Sequence, residues 1–169
     1  LERVRTEADS VLQGRLPSNS NLREMEYTKR VIQEVARLRP AVWSFSRTAI
    51  EDDIIGGEPI KAGTKVYICQ HVLHKLPTEW EDPERFDPDR FAPEKIAERS
   101  RFSYLPFGAG PRVCIGAGLT MMEMQIMLPL IYRKFDVSIA PDLNSDSDNF
   151  ASLETKGDIR ARISARVRH

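Results

Sequence analysis

Cysteine is scarce in this chain: only Cys69 and Cys114 occur in 169 residues. Two cysteines close at most one disulfide, and a chain of this length builds a core without that staple. No C-x-x-C is present, which removes zinc ribbons and thioredoxin-like redox sites, and no C-x-x-C-H, which removes covalently attached c-type haem. An excess of either charge is missing as well. Lys plus Arg and Asp plus Glu number 25 each, so no global field draws nucleic acid or an anionic membrane. No apolar run reaches the roughly 18 residues that a membrane-spanning helix requires. The opening residues, Leu1-Glu2-Arg3-Val4-Arg5, carry neither an initiator Met nor a signal-peptide pattern and read as a helix entered midway. The expected compartment is the cytoplasm, with a membrane anchor encoded upstream left open. Internal repeats and low-complexity tracts are absent too.

What is there suffices for one domain, because 41% of the residues are hydrophobic. Residues 1–13 read as a helix that stops near Gly14 and Pro17. Asn21 and Glu24 have capping-box spacing and open an amphipathic helix expected over 22–38. Met25, Val31, Ile32, Val35 and Leu38 form its expected inner face, and Pro40 ends it. Strands are expected over 42–50 and 64–69, with turns at Gly56-Gly57 and Ala62-Gly63. Residues 76–93 hold Pro77, Pro83, Pro88 and Pro93, too many for regular structure, yet Trp80, Phe86 and Phe91 argue for a packed loop. A second long helix is expected over 114–135, kinked or cut short at Pro129. After a polar loop at 144–149, Ile159, Ala161, Ile163, Ala165 and Val167 alternate with Arg160, Arg162, Arg166 and Arg168. That arginine stripe reads as the solvated face of a strand.

The chemistry centres on residues 107–116, Phe-Gly-Ala-Gly-Pro-Arg-Val-Cys-Ile-Gly. This stretch resembles F-x-x-G-x-R-x-C-x-G, the haem-binding signature of the cytochrome P-450 family, at all five fixed positions. Upstream, Glu34-Val35-Ala36-Arg37 gives E-x-x-R on one helix face. The same spacing recurs at Glu2–Arg5 and Glu98–Arg101, so the choice of Glu34 rests on order along the chain. Glu34 precedes a β-rich stretch, a proline-rich loop and the cysteine loop, as in the family. The loop from Pro83 to Phe91 resembles the family's P-x-x-F-x-P-x-R-F segment.

The resemblance implies a mainly α fold with a small β region, the C-terminal part of a single cytochrome P-450 domain spanning 1–169, its N-terminal portion absent. It implies a haem-thiolate monooxygenase that inserts one oxygen atom from O2 into a small apolar organic substrate. Haem b (iron protoporphyrin IX) is then held by Cys114 as the axial iron ligand. Arg112 and Arg47 would pair with propionates, and Phe107 would shield the sulfur. Gly108 and Gly110 would let the backbone approach a flat cofactor, and Gly116 would keep the next helical turn thin. Glu34, Arg37 and Arg90 would form a supporting triad, with Arg85 the alternative third member. Ala41, Val42 and Trp43 would line the substrate side, and 151–156 a second wall. No flavin or nicotinamide fingerprint occurs, so electrons would come from a ferredoxin or a flavodoxin/reductase type of donor, docking at Arg112, Arg133 and Lys134. Leu119 and Thr120 depart from the family's commoner Phe-Ala, and nothing matches its oxygen-activating helix. An isomerase or peroxygenase of the same fold, or a non-catalytic haem-binding fragment, stands as the alternative.

Overall fold

The computed structural model describes residues 1–139, 147–149, 153–155 and 159–166. Helix α1 (Glu2–Leu12) buries Val4, Ala8 and Leu12, which at a spacing of four share one face. Gln13 (φ 46°) and Gly14 (φ 86°) then reverse the chain in the left-handed region. Ala8, Leu12 and Met25 form the apolar centre, flanked by Val11 and Leu22.

The helix expected over 22–38 is two helices, α2 (Asn19–Glu24) and α3 (Glu26–Leu38). The capping pair is likewise Ser18 with Asn21 rather than Asn21 with Glu24: the Ser18 N–H donates to Asn21 Oδ1 at 3.1 Å. The break falls at Met25, fully buried with ψ 61°, and the fresh N-terminus of α3 is served from outside its own sequence. Glu7 on α1 accepts the Tyr27 N–H (2.7 Å), the Thr28 N–H (2.8 Å) and the Thr28 hydroxyl (2.6 Å). Helix N-termini leave several N–H groups unpaired, and a carboxylate satisfies them with charge-assisted bonds. Glu7→Ala is therefore expected to lower stability by about 1–2 kcal/mol, the range for a lost N-cap. A urea midpoint unchanged from that of the exposed-site control Ser10→Ala would remove Glu7 from this role.

The buried face of α3 carries Thr28, Ile32, Glu34 and Arg37, whereas Val35, expected to point inward, is 47% exposed. Polar side chains win the inner face because each has a partner there, described below.

The strands form two-stranded antiparallel pairs: β1 (Phe45–Thr48) with β4 (Lys65–Ile68), and β2 (Asp53–Ile55) with β3 (Glu58–Ile60). Gly56 (φ 61°) and Gly57 (φ 92°) make the β2–β3 turn, which needs positive φ at both central positions. The expected strand over 42–50 is shorter at both ends and pairs with the later strand, leaving the β2–β3 hairpin by itself. Helix α4 (Gln70–Leu73) follows, then the proline-rich loop, a 3-10 turn at Pro88–Phe91, and α5 (Pro93–Glu98), which starts with proline at its first position. Trp80 and Phe91 are buried in this loop as expected, but Phe86 is 51% exposed.

Helix α6 (Ala117–Lys134) runs past Pro129 without ending there. Proline removes one N–H and crowds the preceding turn, yet Pro129 is buried and the helix is fastened on both sides of it. Gln125 Nε2 donates to the Leu22 carbonyl (3.3 Å), and Arg133 donates to Asp9 Oδ1 (3.1 Å) and the Arg15 carbonyl (3.2 Å). Tertiary packing on α1 and α3 overrides the local penalty. Strand β5 (Phe135–Ile139), unsignalled in the sequence, follows directly and pairs with β8 (Ala161–Ala165). β8 is exposed on both faces, and the next residue of the arginine stripe, Arg166, pairs with Asp9 at 3.2 Å. Residues 147–149, placed in a polar loop by sequence, form β6 (Ser147–Asn149), paired with β7 (Leu153–Thr155). The wall expected at 151–156 lies outside the described side chains. No helix among the described residues is long and apolar enough to cross a membrane.

Candidate functional site

The proline-rich loop is wound around two guanidiniums. Glu34 and Arg37 are both fully buried and form a two-pronged pair, Nε to Oε2 at 2.7 Å and Nη2 to Oε1 at 2.8 Å. Arg37 also donates to the carbonyls of His74 (2.8 Å), Pro83 (2.7 Å) and Arg85 (3.3 Å). Glu34 Oε1 accepts the Asp87 N–H at 2.9 Å and lies 3.6 Å from Arg90 Nε. Arg90 donates to the Glu81 carbonyl, to the Asp82 carbonyl at 2.8 Å and to the Arg85 carbonyl at 3.4 Å. The structure thus brings Glu34, Arg37 and Arg90 together. Arg85 is 60% exposed, its side chain pairing with Asp82 and Asp87, and only its carbonyl enters the cluster. An irregular loop exposes many backbone carbonyls, and a rigid five-donor fork can satisfy several of them at once.

An aromatic layer covers this cluster, and sequence reasoning missed most of it. The rings of Phe91 and Tyr104 stand edge-on at 4.8 Å, and Trp80 lies 6.0 Å from Phe91. Arg37 and Arg99 sit over the Trp80 ring at 4.9 and 4.1 Å. The Tyr104 hydroxyl donates to the Gln33 carbonyl at 2.9 Å. Burial, with the Glu34 charge nearby, pushes the Tyr104 phenol up, which keeps that donor protonated. His74 is fully buried, its ring 5.3 Å from that of Tyr104, and its Nε2 accepts the Leu105 N–H at 2.8 Å. Neither His74 nor Tyr104 belongs to a short motif, so only their aromatic character in a proline-rich context could have marked them.

The cysteine loop begins two residues past Leu105. The Gly108 N–H donates to the Leu105 carbonyl (3.1 Å), the Cys114 N–H to the Phe107 carbonyl (3.0 Å), and the Val113 N–H to the Gly110 carbonyl (3.0 Å). Gly108 (φ 76°) and Gly110 (φ 73°) lie in the left-handed region, where side chains strain the backbone. Cys114 is exposed, three residues before the first residue of α6, whose N-cap is Gly116. A Cβ on Gly116 would sit 3.7 Å from the Cys114 sulfur. Phe107 is half-buried and Arg112 exposed. Arg47, from β1, reaches the loop: its Nη2 donates to the Ala109 carbonyl at 3.4 Å while its guanidinium rests 4.9 Å over Phe45. Ala41 and Val42 are exposed and Trp43 half-buried, its carbonyl accepting the His71 N–H at 3.1 Å.

Arg133 is not where a docking cation belongs. It is 6% exposed and bound to Asp9, so the expected docking set contracts to Arg112 and Lys134, both exposed. Two surface clefts, of about 460 and 740 Å³, include no residue of 107–116. The thiol sits on an open face.

That face suits a flat cofactor. A Cβ built on Gly108 or Gly110 would meet nothing within 4 Å, so the backbone is bare on the side of the loop glycines. No group of three or more His, Cys, Asp or Glu able to hold a metal ion occurs among the described residues. A single exposed thiol therefore fits an iron whose other ligands arrive with a macrocycle.

A mainly α chain in which a buried Glu–Arg–Arg cluster holds a proline-rich loop ahead of an open cysteine loop has the architecture of the haem-thiolate class. The chain belongs to the cytochrome P-450 family, whose sequence profile matches residues 1–159. It is 41% identical over 138 residues to cyclooctatin synthase of Streptomyces melanosporofaciens, covering 82% of this chain and 30% of that protein. It is 35% identical over 140 residues to cyclooctat-9-en-7-ol 5-monooxygenase of the same organism (83% and 30%). It is 37% identical over 142 residues to the chloroplastic protein LUTEIN DEFICIENT 5 of Arabidopsis thaliana (82% and 24%). The crystal structure of a cytochrome P-450DA heme domain superposes with a TM-score of 0.91 at 28% identity, covering 98% of this chain and 37% of that one. The chain spans about a third of the length of the first curated relatives it matches, 32% of each.

Proposed function

We propose that these residues form the haem-ligating part of a monooxygenase, in which Cys114 would hold the iron of haem b through its sulfur. The observation that carries this is the exposed Cys114 thiol, its backbone N–H tied to Phe107, beside two bare left-handed glycines. Haem b, held through the Cys114 sulfur, would supply oxygen activation there. Arg112, exposed on the loop, and Arg47, bridging from β1 to Ala109, offer guanidiniums to propionates. Phe107 restricts water at the sulfur. The Glu34–Arg37–Arg90 cluster keeps the preceding loop in place and takes no part in proton or electron transfer.

The reaction places one oxygen atom of O2 in the substrate and the other in water, consuming two electrons and two protons from outside. A ferredoxin or a flavodoxin/reductase type of donor supplies the electrons, with Arg112 and Lys134 on its docking face. The substrate is small, organic and apolar. In support, one relative is named for monooxygenation of cyclooctat-9-en-7-ol. Ala41, Val42 and Trp43, on the segment entering β1, lie on the substrate side.

The test is the carbon monoxide difference spectrum of the haemin-loaded, reduced protein beside its Cys114→Ser variant. A strongly red-shifted Soret band in the former, absent from the latter, is expected. A band that survives in the serine variant removes Cys114 as the ligand.

A further inference from the structure

His74 touches two systems at once. It caps α4, and its carbonyl accepts from Arg37 Nη1 at 2.8 Å, which ties its backbone to the buried ion-pair cluster. Its ring turns the other way in the chemistry: Nε2 accepts the Leu105 N–H at 2.8 Å. Leu105 in turn accepts the Gly108 N–H, closing the turn that enters the cysteine loop, and Phe107 inside that turn accepts the Cys114 N–H. One side chain therefore stands between the braced proline-rich loop and the backbone that fixes the sulfur.

We propose that His74 is a positioning residue for Cys114, acting through the Leu105–Gly108 turn. The statement rests on the haem-thiolate reading only for its consequence at the iron; the link from His74 to the loop backbone is independent of any cofactor. Leu105 is pinned by this acceptor, while the adjacent Tyr104 is pinned by its hydroxyl to Gln33 on α3. Two anchors on neighbouring residues fix both the position and the rotation of the strap, so that removing either leaves a pivot. The imidazole must present an unprotonated Nε2, because the Leu105 N–H occupies it as a donor. A side chain without an acceptor at that reach leaves the partly buried Leu105 N–H unpaired, which costs more than the bond itself contributed. The turn then relaxes, and with it the hydrogen bond from Cys114 to Phe107.

The experiment uses the protein at its full natural length, with His74→Leu and His74→Gln, since a glutamine amide oxygen reaches about as far as imidazole Nε2. Hydrogen exchange of the apo-protein is read in peptides covering 101–116, and the carbon monoxide difference spectrum is read after haemin loading. In His74→Leu, exchange at Leu105 and Gly108 is expected to rise by about tenfold, with exchange in α1 unchanged and a smaller share of the red-shifted band. His74→Gln is expected to restore both. Nitrogen-15 spectra of histidine-labelled wild-type protein should place the proton on Nδ1, a reading that needs no variant to fold. Unchanged exchange at Leu105 and Gly108 in the leucine variant, or a protonated Nε2 in the wild type, overturns the proposal. If the wild type and Cys114→Ser give the same spectrum, the haem reading falls, while the exchange data still decide the role of His74.

Discussion

Replacing Glu34 by glutamine should lower the thermal midpoint by roughly 10 °C, the shift that a loss of about 3–5 kcal/mol produces in a chain of this size. Glu34 is fully buried and holds Arg37, also fully buried, through two hydrogen bonds. Removing the negative charge leaves a guanidinium without compensation in a dry site, and that is far costlier than the intact pair is stabilising. The amide keeps one oxygen: an NH2 in place of Oε2 meets Arg37 Nε donor against donor, and in place of Oε1 it meets Arg37 Nη2 and the Asp87 N–H and removes the acceptor beside Arg90. Arg37→Lys should be comparably damaging despite keeping the charge. A single ammonium has three donors on one centre and cannot reach the two Glu34 oxygens and the carbonyls of His74, Pro83 and Arg85 together. Asp52→Ala provides the contrast. Its partner Lys61 is 80% exposed and Asp52 itself 60%, so losing that surface pair should leave the midpoint nearly unchanged. A Glu34→Gln midpoint no lower than that of Asp52→Ala would mean that the loop is held by its aromatic contacts instead.

The parts of the fold that were legible in the sequence are those whose signal is local. A five-position signature picked out the cysteine loop, and Gly108 and Gly110 do adopt the left-handed backbone that makes glycine necessary there. E-x-x-R placed Glu34 and Arg37 on one helix face, and Arg90, preferred over Arg85, is the arginine that turns inward. Periodicity located α1 to within a residue at each end, and located α3 and α6 but misjudged their limits. The break at Met25 depends on a carboxylate from another helix, Glu7, which no local window contains. Pro129 carries a strong local breaking signal, and packing of α6 through Gln125 and Arg133 outweighs it.

Burial was the least legible property, for a consistent reason. Hydrophobic pattern assigned Val35 to the inside and left Arg133 free for docking, whereas Val35 is exposed and Arg133 is 6% exposed. Polar side chains enter this interior wherever an irregular backbone needs partners. Arg99 serves the proline-rich loop in that way, donating to the Arg90 carbonyl and stacking on Trp80 and Phe91, while His74 serves the Leu105 N–H and Tyr104 the Gln33 carbonyl. Such pairings join residues far apart in the chain, and pattern reading along one strand of text cannot see them.

Acid should weaken the fold before its carboxylates titrate, and His74 supplies the reason. Burial, reinforced by the charges of Arg37 on α3 and His71 on its own helix and opposed by hydrogen bonding of the ring with the Arg37 backbone, lowers its pKa from 6.5 to about 4. Tyr104, whose ring lies against it, stays protonated and neutral. The folded state thus holds the neutral ring that Leu105 requires, while the unfolded chain takes up a proton below its ordinary value. Stability is constant above about pH 6.5, falls as pH drops, and levels off below about pH 4, where both states are protonated. Across that window the loss amounts to about 3 kcal/mol at 1.4 kcal/mol per pH unit. His71, also lowered by burial but partly exposed, adds a smaller drop of the same sign. Asp52, Glu84 and Asp89 are all held below their ordinary values by surface partners, Lys61, Lys75 and Arg3, and release their contribution only towards the bottom of the window. Urea midpoints between pH 7 and 4 should therefore fall steeply in the wild type and in His71→Asn, and more gently in His74→Gln, which cannot titrate. Parallel curves for wild type and His74→Gln would place the acid sensitivity elsewhere; diverging curves would mark the ring that holds Leu105 as the group through which acid reaches the cysteine loop.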